Sequence, residues 1–125
     1  VIEIEPATTH TINGVSVTPY LVNHVCGAPP FALRLECAGK VIAYSGDTEW
    51  TEALVDVGRN ADVFIAEALT FERPTKFHLD YASLKANLDR IGAKRVILTH
   101  MGPDMLTHVN EVAEQAAHDG LVVEF

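Results

Sequence analysis

The chain has 125 residues, 48% of them hydrophobic, and carries 9 Lys and Arg against 17 Asp and Glu, for a formal charge of −8. That length supports one core and is short for two ordinary domains, and so acidic a surface repels the phosphate backbone of a long nucleic acid. No apolar run approaches the ~20 residues that cross a bilayer, and Cys26 and Cys37 lack CxxC spacing, so membrane insertion is excluded and a cytoplasmic protein with reduced thiols is expected.

Residues 1–5 alternate apolar and acidic side chains, the period of a half-buried strand, and start without a cap or leader. After a turn at Ile12-Asn13-Gly14, residues 15–22 read as a strand, followed by a loop holding His24 and Pro29-Pro30. Phe31–Cys37 and Lys40–Tyr44 then flank Ala38-Gly39 as a hairpin, giving three strands in meander order. Ser45-Gly46-Asp47-Thr48 breaks the pattern, and residues 51–57 have apolar positions at helical spacing. The apolar run at 62–66, ended by Glu67, fits a strand buried on both faces. Residues 80–91 place Leu84, Leu88 and Ile91 on one helical stripe and stop at Gly92, a favoured C-cap. A buried strand at 96–98, an amphipathic helix at 106–117 with Asp119-Gly120 as its stop, and a closing strand at 121–125 complete the chain. Meander strands followed by alternating strand and helix predict a layered α/β fold.

Groups that bind metal or move protons collect where a rigid scaffold presents its loops. His24, Asp47, Glu67 and His100 each fall at the end of a predicted strand or in the loop after it, and His78 sits just before a helix. Neutral imidazole and carboxylate are the usual ligands of borderline divalent ions, and a carboxylate can bridge two of them. Taken singly, a loop histidine such as His24 is more often a surface or capping residue, Asp47 and Thr48 suit a helix cap equally well, and His100 suits a satisfied strand-end histidine. Glu67 is harder to dismiss, because a buried carboxylate is costly unless paired, and His78 is the candidate partner. His10, His108 and His118 lie in polar or helical surface settings and are assigned no role.

In this order and spacing the segments resemble the metallo-β-lactamase superfamily, in the branch of ribonuclease Z and the phosphoribosyl cyclic phosphodiesterases, over nearly the whole chain. The motifs that carry the resemblance are Asn23-His24, Tyr44-Ser45-Gly46-Asp47-Thr48, Ile65-Ala66-Glu67-Ala68, His78 and Leu98-Thr99-His100. It implies that His24 and His100 are terminal ligands on two divalent ions, zinc or manganese, and that Asp47 bridges them. It also implies that Glu67 orients His78 as the catalytic proton donor, while a metal-activated hydroxide attacks the substrate. The implied fold is the C-terminal half of a four-layer αββα sandwich, with 1–125 as a single partial domain. The family signature His-x-His-x-Asp-His is not among these residues. The chain alone therefore ligates the ions incompletely, and the rest is expected from a separate N-terminal half or from self-association.

His78-Leu79-Asp80-Tyr81 stands where ribonuclease Z would have His-Ser-Thr, and the stretch 48–77 holds only Arg59, Arg73 and Lys76 as cations. A small or cyclic phosphodiester is therefore expected in place of tRNA. Two other functions stay open: hydrolysis of an ester, thioester or lactone by the same metals, and a catalytically incomplete half that acts as a binding or assembly module.

Overall fold

The structure, a computed structural model, describes residues 3–125. Its strands are β1 (His10–Ile12), β2 (Val15–Leu21), β3 (Phe31–Cys37), β4 (Lys40–Tyr44), β5 (Val63–Glu67), β6 (Val96–Thr99) and β7 (Gln115–Ala116). Between them lie the short helices α1 (Ala53–Gly58), α2 (Tyr81–Lys85), α3 (Leu88–Ile91) and α4 (Pro103–Thr107). The strands form a 7-stranded sheet in chain order, antiparallel from β1 to β4 and parallel from β4 to β7. Two-residue turns close the first and third hairpins. Asn13 and Gly14 have φ of 50° and 82°, and Ala38 and Gly39 have φ of 50° and 76°. Paired positive φ values are what a hairpin turn twisted with its strands requires.

Period-2 alternation divides the sheet into two unlike faces. On one, the cross-strand set Ala43, Phe64 and Val96 continues through Ala66 and Leu98. Ala32, Ala43, Phe64, Ala66 and Leu98 are fully buried there beneath Leu54 and Val57 of α1 and Leu84 and Ile91 of α2 and α3. Three alanines in that layer let the helices approach closely. Arg34, on the same face, donates from Nη1 to the carbonyls of Val57 and Arg59, both at 3.0 Å, and so ties the end of α1 to the sheet. The opposite face carries two apolar ladders, Val17-Leu35-Ile42-Val63 and Leu33-Tyr44-Ile65-Ile97. None of these eight belongs to the core cluster, and most are only half-buried.

The two strands of the central hairpin and the strand ending at Glu67 match expectation, and four expected elements change. Of the strand expected at 1–5, residues 1–2 lie outside the described residues and 3–5 are not in a strand. The edge strand is instead His10–Ile12, because the Asn13-Gly14 turn folds it back on β2. The single helix expected at 80–91 breaks between α2 and α3. There Asn87 adopts φ −117° and ψ 0°, and its Nδ2 donates to the Ser83 carbonyl at 2.9 Å. The helix expected at 106–117 shrinks to α4, which starts earlier because Pro103 favours a first helical position. The released residues give β7, paired to β6 through Ile97 with Gln115 and Leu98 with Ala116, and no strand forms at 121–125.

Gly58 shows how tightly α1 meets α3, since a Cβ there would lie 2.5 Å from Ile91 Cγ2. Alanine gains roughly 0.5–1 kcal/mol of helix propensity over glycine, and overpacking a full core costs about 1–3 kcal/mol. Ile91 is 1% exposed and has nowhere to go, so the clash wins. Gly58→Ala is expected to lower the urea midpoint, and adding Ile91→Leu, which removes Cγ2, should recover most of the loss.

Candidate metal centre

Strands β2, β4, β5 and β6 run in the same direction, so their C-terminal ends share one edge of the sheet. Loops leaving that edge are where an open α/β sheet presents its ligand groups. His24 follows β2, Asp47 follows β4, Glu67 ends β5 and His100 follows β6. His78 reaches the same edge from the segment before α2.

The loop after β4 is shaped by two buried hydroxyls. Ser45 Oγ accepts from the Glu67 backbone N–H at 2.8 Å and donates to the Gly46 carbonyl at 2.7 Å. Gly46 then turns at φ 61°, where a Cβ would meet the Phe31 carbonyl at 2.7 Å, so only glycine passes. Thr48 follows, buried, with Oγ1 accepting from Asn23 N–H at 3.0 Å. These residues do not cap α1, whose N-cap is Glu52 without a side-chain bond. The capping alternative for Asp47 is therefore set aside.

Glu67 is the hub. Its side chain is 1% exposed. Oε2 accepts from the backbone N–H of Thr48 at 2.8 Å and of Leu79 at 3.2 Å. Oε1 lies 2.5 Å from His78 Nδ1 and 2.9 Å from His100 Nδ1. An isolated buried carboxylate would be untenable, and donors on both oxygens make this one stable. The same engagement leaves Glu67 little capacity as a metal ligand and suits it to orienting imidazoles.

Asp47, Glu67, His78 and His100 offer ligand atoms that all lie within 4.8 Å of one another. His100 Nδ1 is also 3.1 Å from Asp47 Oδ1, and both side chains are open to solvent at 44% and 38% exposure. His24 is not in this group but adjoins it, with its ring centroid 5.1 Å from that of His78, which in turn lies 5.4 Å from that of His100. His24 Nδ1 meets the Phe77 carbonyl at 2.9 Å. A carbonyl only accepts, so Nδ1 carries the proton, and in the neutral ring Nε2 is the nitrogen that binds a metal. Two imidazoles and a free carboxylate fit a divalent ion such as zinc, and the chain's own residues supply part of a coordination shell. Phe77 and His100 have φ of 68° and 51°, a left-handed conformation that strains a non-glycine residue and clusters at functional sites.

The five residues singled out in the sequence thus meet at one edge. The sequence signal missed the residues that hold them: Ser45, Thr48, Glu49 and the Phe77 carbonyl. Ser45 and Thr48 flank Asp47 in a stretch that reads equally as a helix cap, and a backbone carbonyl leaves no trace in a sequence. His108, assigned no role, stacks on Phe71 with centroids 4.2 Å apart, away from the cluster.

The charge of the site is felt by Tyr44, at the end of β4. Its phenol is pushed above the usual value, first by burial and then by the negative charges of Asp47 and Glu67. Anions disfavour the phenolate, so removing one makes ionisation easier. Asp47→Asn is expected to lower the Tyr44 midpoint in an ultraviolet titration at high pH, and because burial is the larger cause, only partway to the free value.

Residues 1–101 match the family described as β-lactamase superfamily domain. An uncharacterised Mycobacterium tuberculosis protein, Rv1339, is 32% identical over 97 residues, which cover 74% of this chain and 35% of that protein. Ribonuclease Z of Geobacillus kaustophilus is 34% identical over 98 residues, covering 70% of this chain and 32% of the enzyme. The crystal structure of the metallo-β-lactamase fold protein YhfI of Bacillus subtilis superposes with a TM-score of 0.82 at 19% identity, over 98% of this chain and 55% of that one. The chain therefore spans about a third of the length of the two sequence relatives. It belongs to the metallo-β-lactamase superfamily, on its ribonuclease Z-like branch.

Proposed function

We propose that this member of the superfamily contributes half of a binuclear hydrolase site that cleaves a small or cyclic phosphodiester. In this reading His24, Asp47 and His100 hold two divalent ions, zinc or manganese, and the Glu67–His78 pair moves the proton. The observation that carries it is the convergence of Asp47, Glu67, His78 and His100 within 4.8 Å at strand ends, around a carboxylate committed to orienting histidines. Divalent ions bound there would polarise a phosphoryl oxygen and lower the pKa of a bound water.

The remaining steps belong to the side chains. Glu67 is pinned by the Thr48 and Leu79 amides and cannot swing away. Its Oε1 accepts a hydrogen bond from His78 Nδ1–H, which leaves the Nε2 edge for the substrate. With both nitrogens protonated, His78 is stabilised by the carboxylate and donates from Nε2 to the departing oxygen. After donation the neutral ring keeps its Nδ1–H bond to Glu67, so its aim is unchanged. His78 is 23% exposed, within reach of a ligand.

Charge favours a small substrate. Of the cations between 48 and 77, Arg59 pairs with Asp56 at 2.7 Å and Lys76 sits 4.7 Å above the Phe77 ring. No basic stripe that would track a long phosphate backbone is assembled from them. The half-buried members of the apolar ladders, Val17, Leu33, Leu35, Ile42 and Ile65, support the second part of the proposal: 1–125 acts as a partial domain, and a complementary half, or a second copy, packs on that face and completes the ligands. That exposed apolar face is also what would favour a purely assembling module, which metal loading tests directly. The assembled domain should bind two ions, and this chain alone fewer, by elemental analysis.

In the metal-loaded domain His78→Ala is expected to slow hydrolysis of a cyclic phosphodiester with a ribose leaving group about 10²–10⁴-fold. A p-nitrophenyl ester, whose leaving group needs no proton, should lose less. Equal losses on the two substrates would remove His78 from the role of acid.

A further inference from the structure

Glu49 takes no part in the chemistry proposed above, yet it joins the two loops that bring His24 and His78 to the site. Its Oε2 accepts from Asn23 Nδ2 at 2.7 Å, next to His24. Its Oε1 accepts from the Phe77 backbone N–H at 2.7 Å, next to His78. The Glu49 N–H donates to the Asn23 carbonyl at 3.0 Å, so backbone and side chain clasp the same residue. The loop is closed by the Phe77 carbonyl, which accepts the Nδ1 proton of His24 at 2.9 Å. Phe77 stands at φ 68°. A bulky residue keeps that conformation only where its surroundings over-determine it. Here the amide is held by Glu49 and the following His78 N–H by the Thr75 carbonyl at 3.0 Å.

We infer that Glu49 is a positioning residue: by holding the strained Phe77 peptide and Asn23 together, it fixes His24 as the Nδ1–H tautomer, the one whose Nε2 would hold a divalent ion. The inference rests on the reading of His24 as a ligand. Glu49 is half-buried and both its oxygens face N–H donors, so the bridge needs two acceptors or one acceptor and a matched reversal. Glutamine provides the reversal. Its oxygen still accepts from Phe77 N–H, and its amide donates to Asn23 once the Asn23 side chain flips to present Oδ1. Alanine provides neither.

The tautomer is readable without any metal, by the imidazole nitrogen-15 shifts of the chain as it stands. Wild type and Glu49→Gln are expected to show His24 with a protonated Nδ1 and an unprotonated Nε2. Glu49→Ala should show averaged shifts and bind zinc about 10–100-fold more weakly, the usual loss when a ligand's orienting partner is removed. Glu49→Asp, too short to reach both loops, serves as the second variant if alanine does not fold, with the same expectation. Glu52→Gln, which removes an exposed carboxylate paired with Arg90, is the control and should leave the shifts unchanged. A folded Glu49→Ala or Glu49→Asp with the wild-type His24 tautomer would overturn the inference, as would a Glu49→Gln that behaves like alanine. Failure of the underlying reading looks different: zinc would bind the wild-type chain without moving the His24 Nε2 resonance.

Discussion

A carboxylate at 1% exposure between three loops can be anionic only if enough donors surround it, and the arrangement around Glu67 follows from that requirement. The donors come from different parts of the chain: the Thr48 amide after β4, the Leu79 amide before α2, and the rings of His78 and His100. Meeting the demand of one buried charge thus brings the loops after β4 and β6 and the segment before α2 to a common point. Moving any of them by an ångström would leave Glu67 short of a donor. The site is held by the same bonds that make the buried charge tolerable, which is why stability and geometry are inseparable here.

The sheet prepares this meeting through strand direction. Two antiparallel hairpins return β4 to the orientation of β2, and the parallel crossovers keep β5 and β6 in that orientation. Successive strand ends then deliver His24, Asp47, Glu67 and His100 along one edge without any long excursion of the chain. The helices that make the crossovers are short and lie over one face only. A compact helical layer is permitted there by Ala32, Ala43 and Ala66, each fully buried, which leave room for Leu54, Val57 and Leu84.

Much of this was legible in the amino-acid order, for identifiable reasons. β3, β4 and β5 are bounded by residues with strong local preferences, the Ala38-Gly39 turn on one side and the polar break at Asn60 on the other, so their limits follow from local chemistry. Glu67 stood out because an acid that ends an apolar run has to find a partner. The errors lie where tertiary contacts overrule periodicity. Asn87 satisfies its side chain on Ser83 and splits a stripe that otherwise reads as one helix. The amphipathic run after Leu106 is drawn into pairing with β6, where Gln115 also meets Arg95, and a helical pattern yields to an open sheet edge. Within the site, the candidate residues could be read from sequence, while the residues that position them could not. Phe77 acts through its backbone groups at a strained φ, which have no residue-type signature, and the Glu49 carboxylate bridges Asn23 to that backbone, a pairing that only the folded loops bring together.

The two faces of the sheet carry different kinds of apolar residue, and the difference bears on what each face meets. The helical side pairs small alanines with a few large residues at full burial, the pattern of a core already closed. The other side presents Val17, Leu33, Leu35, Ile42 and Ile65 in continuous cross-strand rows, branched, of similar size and half-buried. At roughly 25 cal/mol per Å², leaving such rows in water forfeits stabilisation that a polar face would not. Charge is kept off these rows although the chain as a whole is strongly acidic. A face of that composition is built for burial against another apolar layer. Tyr44 belongs to one of its rows and feels both Asp47 and Glu67, so this face borders the candidate metal centre. In the proposed reading, completing the core and completing the site are a single event, because a layer that buried Leu33 and Ile65 would stand beside the edge that carries Asp47 and His100.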